Sequence, residues 1–562
     1  MKLKRIHTCL LSTAIIGSLV QCGKKDDGGS TVPPVANPLV NTKIRLDNTT
    51  VVASTVSYNI RPAVAIRLSF NNAVDRSTVA SAVSLTESGA SSVSLNYAYE
   101  NNDSTLVVTP SASLKHLAKF NFAAGTGLRS VKNTALNTSL NFSFVTQIDS
   151  TNKFPIISDD ALLTLVQQQT FKYFWDFGHP VSGLARERNT SGETVTSGGS
   201  GFGIMTIPVA ISRSFITRSQ GLARMQTIVG FLKNTAQKFH GAFPHWLNGT
   251  TGVVIPFSEK DNGADLVETS YLMAGLICAR EYFNGADAAE TALRADINTI
   301  YDNVEWDWFR QGNQNVLYWH WSPNYNWEIN MPIRGWNECL ITYIMAASST
   351  THPIPQSVYS NGWAQNGSIV NNNTYYGLQL PLGAAFGGPL FFAHYSFLGV
   401  NPNGLSDAYA SSYFTQNKNH TLINYKYCIA NPSGNFGYSN LCWGLTASDI
   451  ENGYTASSPT NDVGVIAPTA ALSSFPYTPT ESMDALKFFY YKLGNKIWGN
   501  YGFIDAFSLK SPWFANSTLA IDQGPIIVMI ENYRTGLLWN LFTGAADIKN
   551  GMRNLGFAAP YL

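Results

Sequence analysis

Apolar and polar positions follow two different rhythms along this chain. Between residues 41 and 147 they alternate in short runs, AVAIRLSF (63–70), VSLNYAYE (93–100), TLVVT (105–109) and LNFSFVT (140–146), separated by clusters of Asn, Ser and Gly. Period two at that spacing predicts a small all-β sandwich. It holds no cluster of carboxylates, His or Cys, so it reads as a spacer, with carbohydrate binding as the lesser alternative.

From Ser158 onward apolar residues recur every three or four positions, predicting helices over 159–177, 219–239, 264–283, 288–304, 337–349, 468–476, 481–494 and 526–542. Weaker patterns lie around 203–216, 355–364, 389–399 and 411–429, which brings the total to roughly twelve helices. Several are apolar nearly all round and so are expected to be buried on both sides. A double ring of about six inner and six outer helices, an all-α (α/α)6 barrel, accounts for this pattern, and no fixed-period motif supports a solenoid. Loops at one rim of such a toroid form a cleft.

The first residues read as an address. Lys2, Lys4 and Arg5 precede an apolar run from Cys9 to Val20, too short to span a bilayer, and Cys22 follows. Residues 1–21 are therefore expected to be an export signal and 22–40 a Gly- and Pro-rich tether. LVQC resembles a lipobox, which implies a lipid on Cys22 and a membrane-anchored protein, periplasmic or at the cell surface of a Gram-negative bacterium. Among the remaining cysteines, Cys278 and Cys339 sit in apolar helical patterns, while Cys428 and Cys442 are close enough in sequence to pair across a loop.

Composition narrows the ligand. Lys plus Arg is 37 and Asp plus Glu is 36, and charged residues are only 13% of the chain, about half the usual share, which argues against a phosphate-tracking nucleic-acid binder. Aromatics reach 12%. A neutral surface rich in rings and hydrogen-bonding groups suits uncharged sugars, because flat rings stack on sugar faces.

Four stretches could carry chemistry. WDFGHPVSGLARERN (175–189) concentrates Asp176, Arg186, Glu187 and Arg188, either to orient a ligand or to pin the loop. Asp265 and Glu268 open the helix at 264–283: a capping pair, or a partly buried Glu268 with the raised pKa of a general acid. The stretch 316–340 carries Trp319, His320, Trp321 and Trp336 in a spacing unlike helical core, which suggests stacking platforms, and its Glu338 reads as a structural or binding carboxylate rather than a catalyst. The long loop 440–476 carries Trp443, Asp449, Glu451 and Asp462; Asp505, Asp522 and Glu531 follow as expected cleft walls, with Glu531 and Arg534 a possible pair. GGSGFG (198–203) is rejected as a dinucleotide fingerprint because no strand precedes it. No metal motif, nucleophile elbow or phosphate loop occurs, so no cofactor is expected, and carboxylates with aromatics point to glycoside hydrolysis.

The blocks GLARERN, GGSGFGIM, HGAFPHW, DLVETSYLMAGL, WHWSP, WGLTASD, NDVGVIAPTAAL and MIENYRTGLLW, in that order over 155–560, resemble the glycoamylase-like domain of glycoside hydrolase family 144, the β-1,2-glucanases. Residues 41–147 resemble a bacterial Ig-like domain, with 148–562 as the hydrolase. The resemblance implies hydrolysis of β-1,2-glucan with inversion, either internally or by release of sophorose, by a protein read here as a monomer. It implies Glu268 as general acid and Asp449 as general base, with Asp462 open as the alternative base. The substrate contacts are then Asp176, Arg186, Glu187, Arg188, His245, Trp246, Trp319, His320, Trp321, Trp336 and Trp443. Direct inversion predicts carboxyl groups about 6.5–9.5 Å apart. Two other classes compete: a non-catalytic surface glycan-binding lipoprotein, and a polysaccharide lyase, which the sparse and acid-matched basic residues disfavour.

Overall fold

The computed structural model describes residues 37–90 and 92–562; the export signal and Cys22 lie outside them. The alternating stretch forms two packed sheets. One has five strands in the order Thr49–Thr50, Asn41–Leu46, Ile66–Phe70, Thr105–Pro110 and Leu95–Glu100. The other has four, ordered Ser57–Ile60, Leu140–Thr146, Lys119–Ala124 and Val83–Glu87. Alternation works as the pattern requires: Ile66, Leu68 and Phe70 turn inward while Arg67 and Ser69 do not, and Leu68 joins Leu106, Phe120 and Phe144 in one core. Tyr58 stacks on Phe436 at 5.0 Å between ring centroids, seating the sandwich on the helical unit.

The helices divide by burial. Ser197–Ser212, Leu266–Tyr282, Leu340–Ser348 and Ala520–Arg534 are buried on nearly every side. Arg218–Asn234 and Ala288–Asp302 bury one face only; in the latter Leu293, Ile297, Ile300 and Tyr301 supply it. Helices Ser197–Ser212 and Leu266–Tyr282 touch backbone to backbone. A Cβ on Gly201 would collide with the Tyr271 carbonyl, and one on Gly275 with the Gly201 carbonyl. The glycines of GGSGFG thus serve helix packing.

Several expected helices are broken. The run 526–542 divides into Ala520–Arg534 and Leu537–Gly544 because Gly536 adopts φ 71°, and the Asn532 side chain accepts from the N–H groups of Leu538 and Trp539 to start the second helix. Residues 389–399 form two short 3₁₀ turns, Leu390–Ala393 and Ser396–Leu398. The stretch 481–494 passes from Pro479–Lys487 into a π-helical turn, Phe488–Lys492. A last helix, Ala546–Leu555, was not expected.

Two pairings differ from expectation. Cys428 and Cys442 are both free, buried thiols within the core. Glu531 does not meet Arg534: it points inward and takes a two-pronged contact from Arg213 at 2.7 and 3.0 Å, while Arg534 reaches Asp160 on the neighbouring helix Asp159–Trp175.

Candidate active site

The starts of the buried helices open into one recess. Thr196 and Glu268 come from two adjoining helix N-termini, Glu338 from the turn before Leu340–Ser348, and Leu519 and Ile521 from the start of Ala520–Arg534. Glu187 and Arg188 form one side. Trp246, Phe257, Trp319, Tyr271, Phe391 and Tyr395 supply rings. A hairpin, Ala447–Ile450 with Gly453–Ala456, covers the remaining edge with Tyr454.

Asp265 is the cap of the helix that carries Glu268. Its Oδ1 accepts from the N–H groups of Val267 (3.0 Å) and Glu268 (2.9 Å), as the sequence suggested. The reciprocal half of a capping box is missing. Glu268 Oε2 instead accepts from the Gly198 N–H at 2.7 Å and from Thr196 Oγ1 at 3.3 Å, across to the neighbouring helix. Glu268 is only 7% exposed. Burial raises its pKa and the Asp265 charge adds to that, against the pull of His245 and the two donors.

Behind this wall lies a closed set of paired charges. Asp265 Oδ2 accepts from His245 Nδ1 (3.1 Å) and Trp319 Nε1 (3.2 Å), and His320 Nε2 stands 3.2 Å from Asp261 and 3.5 Å from Asp265. Burial alone would lower His245, but the Glu268, Asp265 and Asp261 carboxylates lift it to about 9. Burial likewise works against the charge on His320, and Asp261 and Asp265 lift it to about 10. The same two imidazoles hold Asp265 well below the carboxylate range despite its burial. Ligand atoms of His245, Asp261 and Asp265 lie within 4.8 Å of one another, a spacing a metal could use, although each residue is already engaged in this network.

Glu338 is different. Its side chain is half-buried in the recess and accepts no hydrogen bond from another side chain, while its backbone carbonyl is held by Ser396 Oγ and the Tyr271 hydroxyl. Burial pushes its pKa up to about 7, with the nearby Glu268 and Asp265 charges adding to the effect. The sequence reads it as structural or binding, and the structure places its carboxyl in the recess.

Asp449 sits on the hairpin in an adjoining depression that shares Arg188 and Tyr454 with the recess. Its carboxylate accepts from Arg188 (3.0 Å) and from the Ser517 hydroxyl (2.5 Å), and its backbone N–H donates to Asp505 at 2.7 Å. Arg188 also reaches Glu187, so one guanidinium ties two carboxylates to the rim. Beneath the hairpin Asp505 and Asp522 face each other, nearly inaccessible. Burial and mutual repulsion raise Asp522 well above the usual range, and burial carries Asp505 to about 7.

The structure therefore brings Glu268, Glu187, Arg188, His245, Trp246 and Trp319 to one cavity, with Asp449 beside it and His320 behind it. It does not bring the others. Asp462 is fully engaged elsewhere, accepting from Tyr427, Asn435, Tyr438 and the Gly464 N–H. Arg186 pins its loop through the Phe177 and Gly192 carbonyls, and Asp176 ends the helix Asp159–Trp175. Trp443 is fully buried and donates to the Glu481 carbonyl; Trp336 is buried against Phe397 and Tyr413; Trp321 packs on His240 and Trp308. Sequence reasoning missed Tyr271, Tyr395, Phe391 and Tyr454. Of these only Tyr271 was signalled, one helical turn beyond Glu268.

Residues 330–546 match the "putative glucoamylase" family and residues 40–146 the bacterial Ig-like domain family. The exo β-1,2-glucooligosaccharide sophorohydrolase (non-reducing end) of Parabacteroides distasonis is 45% identical over 447 residues, 75% of this chain; the match spans 61% of that relative's length. The solved endo-β-1,2-glucanase of Chitinophaga pinensis, a complex with sophorotriose and glucose, is 51% identical with a TM-score of 0.71, covering 72% of this chain and all of that one. A solved β-1,2-glucanase of P. distasonis is 36% identical with a TM-score of 0.69, covering 93% of this chain and 74% of that one.

Proposed function

This chain belongs to the glycoamylase-like enzymes of glycoside hydrolase family 144, with a bacterial Ig-like domain ahead of the catalytic one, and we propose that it hydrolyses β-1,2-linked glucan. The observation that carries this reading is a half-buried carboxyl, Glu338, bonded by no other side chain, in a recess walled by aromatic rings together with Glu187, Arg188, His245 and Glu268. Rings stack on sugar faces, and a carboxyl with a pKa of about 7 is still substantially protonated near neutral pH. The helical unit, 148–562, is read as an (α/α)6 barrel whose inner helix starts form the floor. Export and anchoring through Cys22 remain part of the proposal on sequence grounds.

Glu338 donates its proton to the glycosidic oxygen as the bond to the anomeric carbon breaks. Asp449 takes a proton from the water that attacks the opposite face of that carbon, so the product forms with inversion. Glu268 then accepts hydrogen bonds from sugar hydroxyls, since Oε2 already serves two protein donors and the protonated His245 beside it favours its anionic form. A second reading makes Glu268 the donor, as the family resemblance implies, and its burial and raised pKa favour that. Separate replacement of the two by Gln, assayed on β-1,2-glucan, decides between them: the donor's loss abolishes turnover and leaves substrate binding, whereas the other's weakens binding.

A further inference from the structure

The depression holding Asp449 continues the recess. It is joined to the recess through Arg188 and Tyr454. Its far wall is Trp513, on the short hairpin Phe507–Ser508 with Trp513–Phe514. Trp513 packs with Ile450 against the small cluster of Val465, Ala467 and Ala506, and it remains partly exposed beside the cavity that it lines. Tyr454 is 50% exposed at the junction.

The polar groups there are of two kinds. Arg188, Asp449 and Ser517 are committed to one another. Asn516 and Glu451 are exposed, and neither side chain is engaged in a protein hydrogen bond. A ring held on one side by core, with a free amide and a solvent-exposed carboxylate at the rim, matches an uncharged sugar, because Arg188 and Asp449 are already paired and the hydroxyls of a sugar can donate to Glu451.

We infer that this depression is a further sugar-binding subsite of the same cleft, in which Trp513 stacks on a glucose unit beyond Asp449 while Asn516 and Glu451 receive its hydroxyls. The inference rests on the β-glucan reading above. It makes the cleft run past the base in both directions, so chains longer than those filling the recess alone gain contacts.

The test is a substrate-length series of β-1,2-linked oligosaccharides, from three glucose units to the polymer, with wild type and Trp513→Ala. A lost stack of about 1 kcal/mol lowers the preference in kcat/KM for long over short substrates roughly fivefold. The fall appears in KM, and Trp513→Phe recovers most of it. Calorimetry of the same oligosaccharides on Glu338→Gln, with and without Trp513→Ala, is expected to show the same loss in affinity for the longer ligands. An unchanged length preference in Trp513→Ala, or an equal loss at every length, overturns the subsite. A wild type that is inactive on β-1,2-glucan overturns the reading on which it rests, so the two failures are distinct.

Discussion

The Gly198 N–H donates a 2.7 Å hydrogen bond to Glu268 Oε2, joining the first turns of two buried helices at the floor of the recess. A Cβ on residue 198 would lie 2.5 Å from that oxygen and 2.9 Å from Tyr271 Cδ2. Gly198→Ala is therefore expected to displace the Glu268 carboxylate and reduce kcat/KM at least roughly tenfold, for about 1–3 kcal/mol of stability. Kinetics and thermal melting of the same sample check this; full activity would show that Glu268's position is unimportant.

Glu338→Gln keeps the shape and hydrogen-bonding capacity of the side chain and removes the proton. Loss of a general acid typically costs about 10²–10⁴ in rate, so kcat should fall by that factor with KM little changed. Glu268→Gln should raise KM instead. The reverse pattern moves the donor to Glu268.

On the proposal that Glu338 is the proton donor, it also sets the pH dependence. With its pKa at about 7, the donor is protonated below that value and activity falls as pH rises through it. The same shift acts on stability. In the folded protein the group holds its proton more tightly than at the ordinary value of 4.5, so stability is greatest below about 4.5 and declines until pH passes about 7. Glu338→Gln should then melt higher than wild type at pH 8, by about 1–3 kcal/mol after allowance for water in the recess, with the gap closing below pH 5. Melts across this range check the sign.

Asp449 and Asp522 offer a contrast. Asp449→Asn should lower kcat by about 10²–10⁴ if Asp449 activates water. Asp522→Asn, in the buried pair below, should affect stability more than rate. If Asp522→Asn alone abolishes turnover, the base belongs to the buried pair.

Away from the site, Glu531 is 1% exposed and depends on Arg213. Arg213→Ala leaves that carboxylate buried without its cation and should cost about 3–5 kcal/mol. Denaturant unfolding measures the loss, with kcat unaffected below the melting temperature.

Two periods were enough to read a β-sandwich followed by helices, because burial of one face or of all faces leaves its mark on the pattern. Local chemistry was less legible. Asp265 acts as the cap its position suggested, but the direction taken by Glu268 depends on Gly198 and Thr196, 70 and 72 residues away. Trp443 and Trp336 looked like groove residues because they stand in irregular loops; those loops fold inward and make the rings core. Asp462 resembled Asp449 in sequence, and only the donors that fold around it, Tyr427, Asn435, Tyr438 and the Gly464 N–H, show that its oxygens are occupied. The surroundings of Glu338 were not legible because they are assembled from segments distant in sequence.

The most direct measurement is product analysis of the purified protein on linear β-1,2-glucan beside β-1,3-glucan, β-1,4-linked oligomers and starch, with Glu338→Gln as control. The account predicts soluble β-1,2-linked oligosaccharides from the first substrate only, first appearing as the α-anomer, and none from the variant. No product from β-1,2-glucan, or equal release from another polymer, would contradict it.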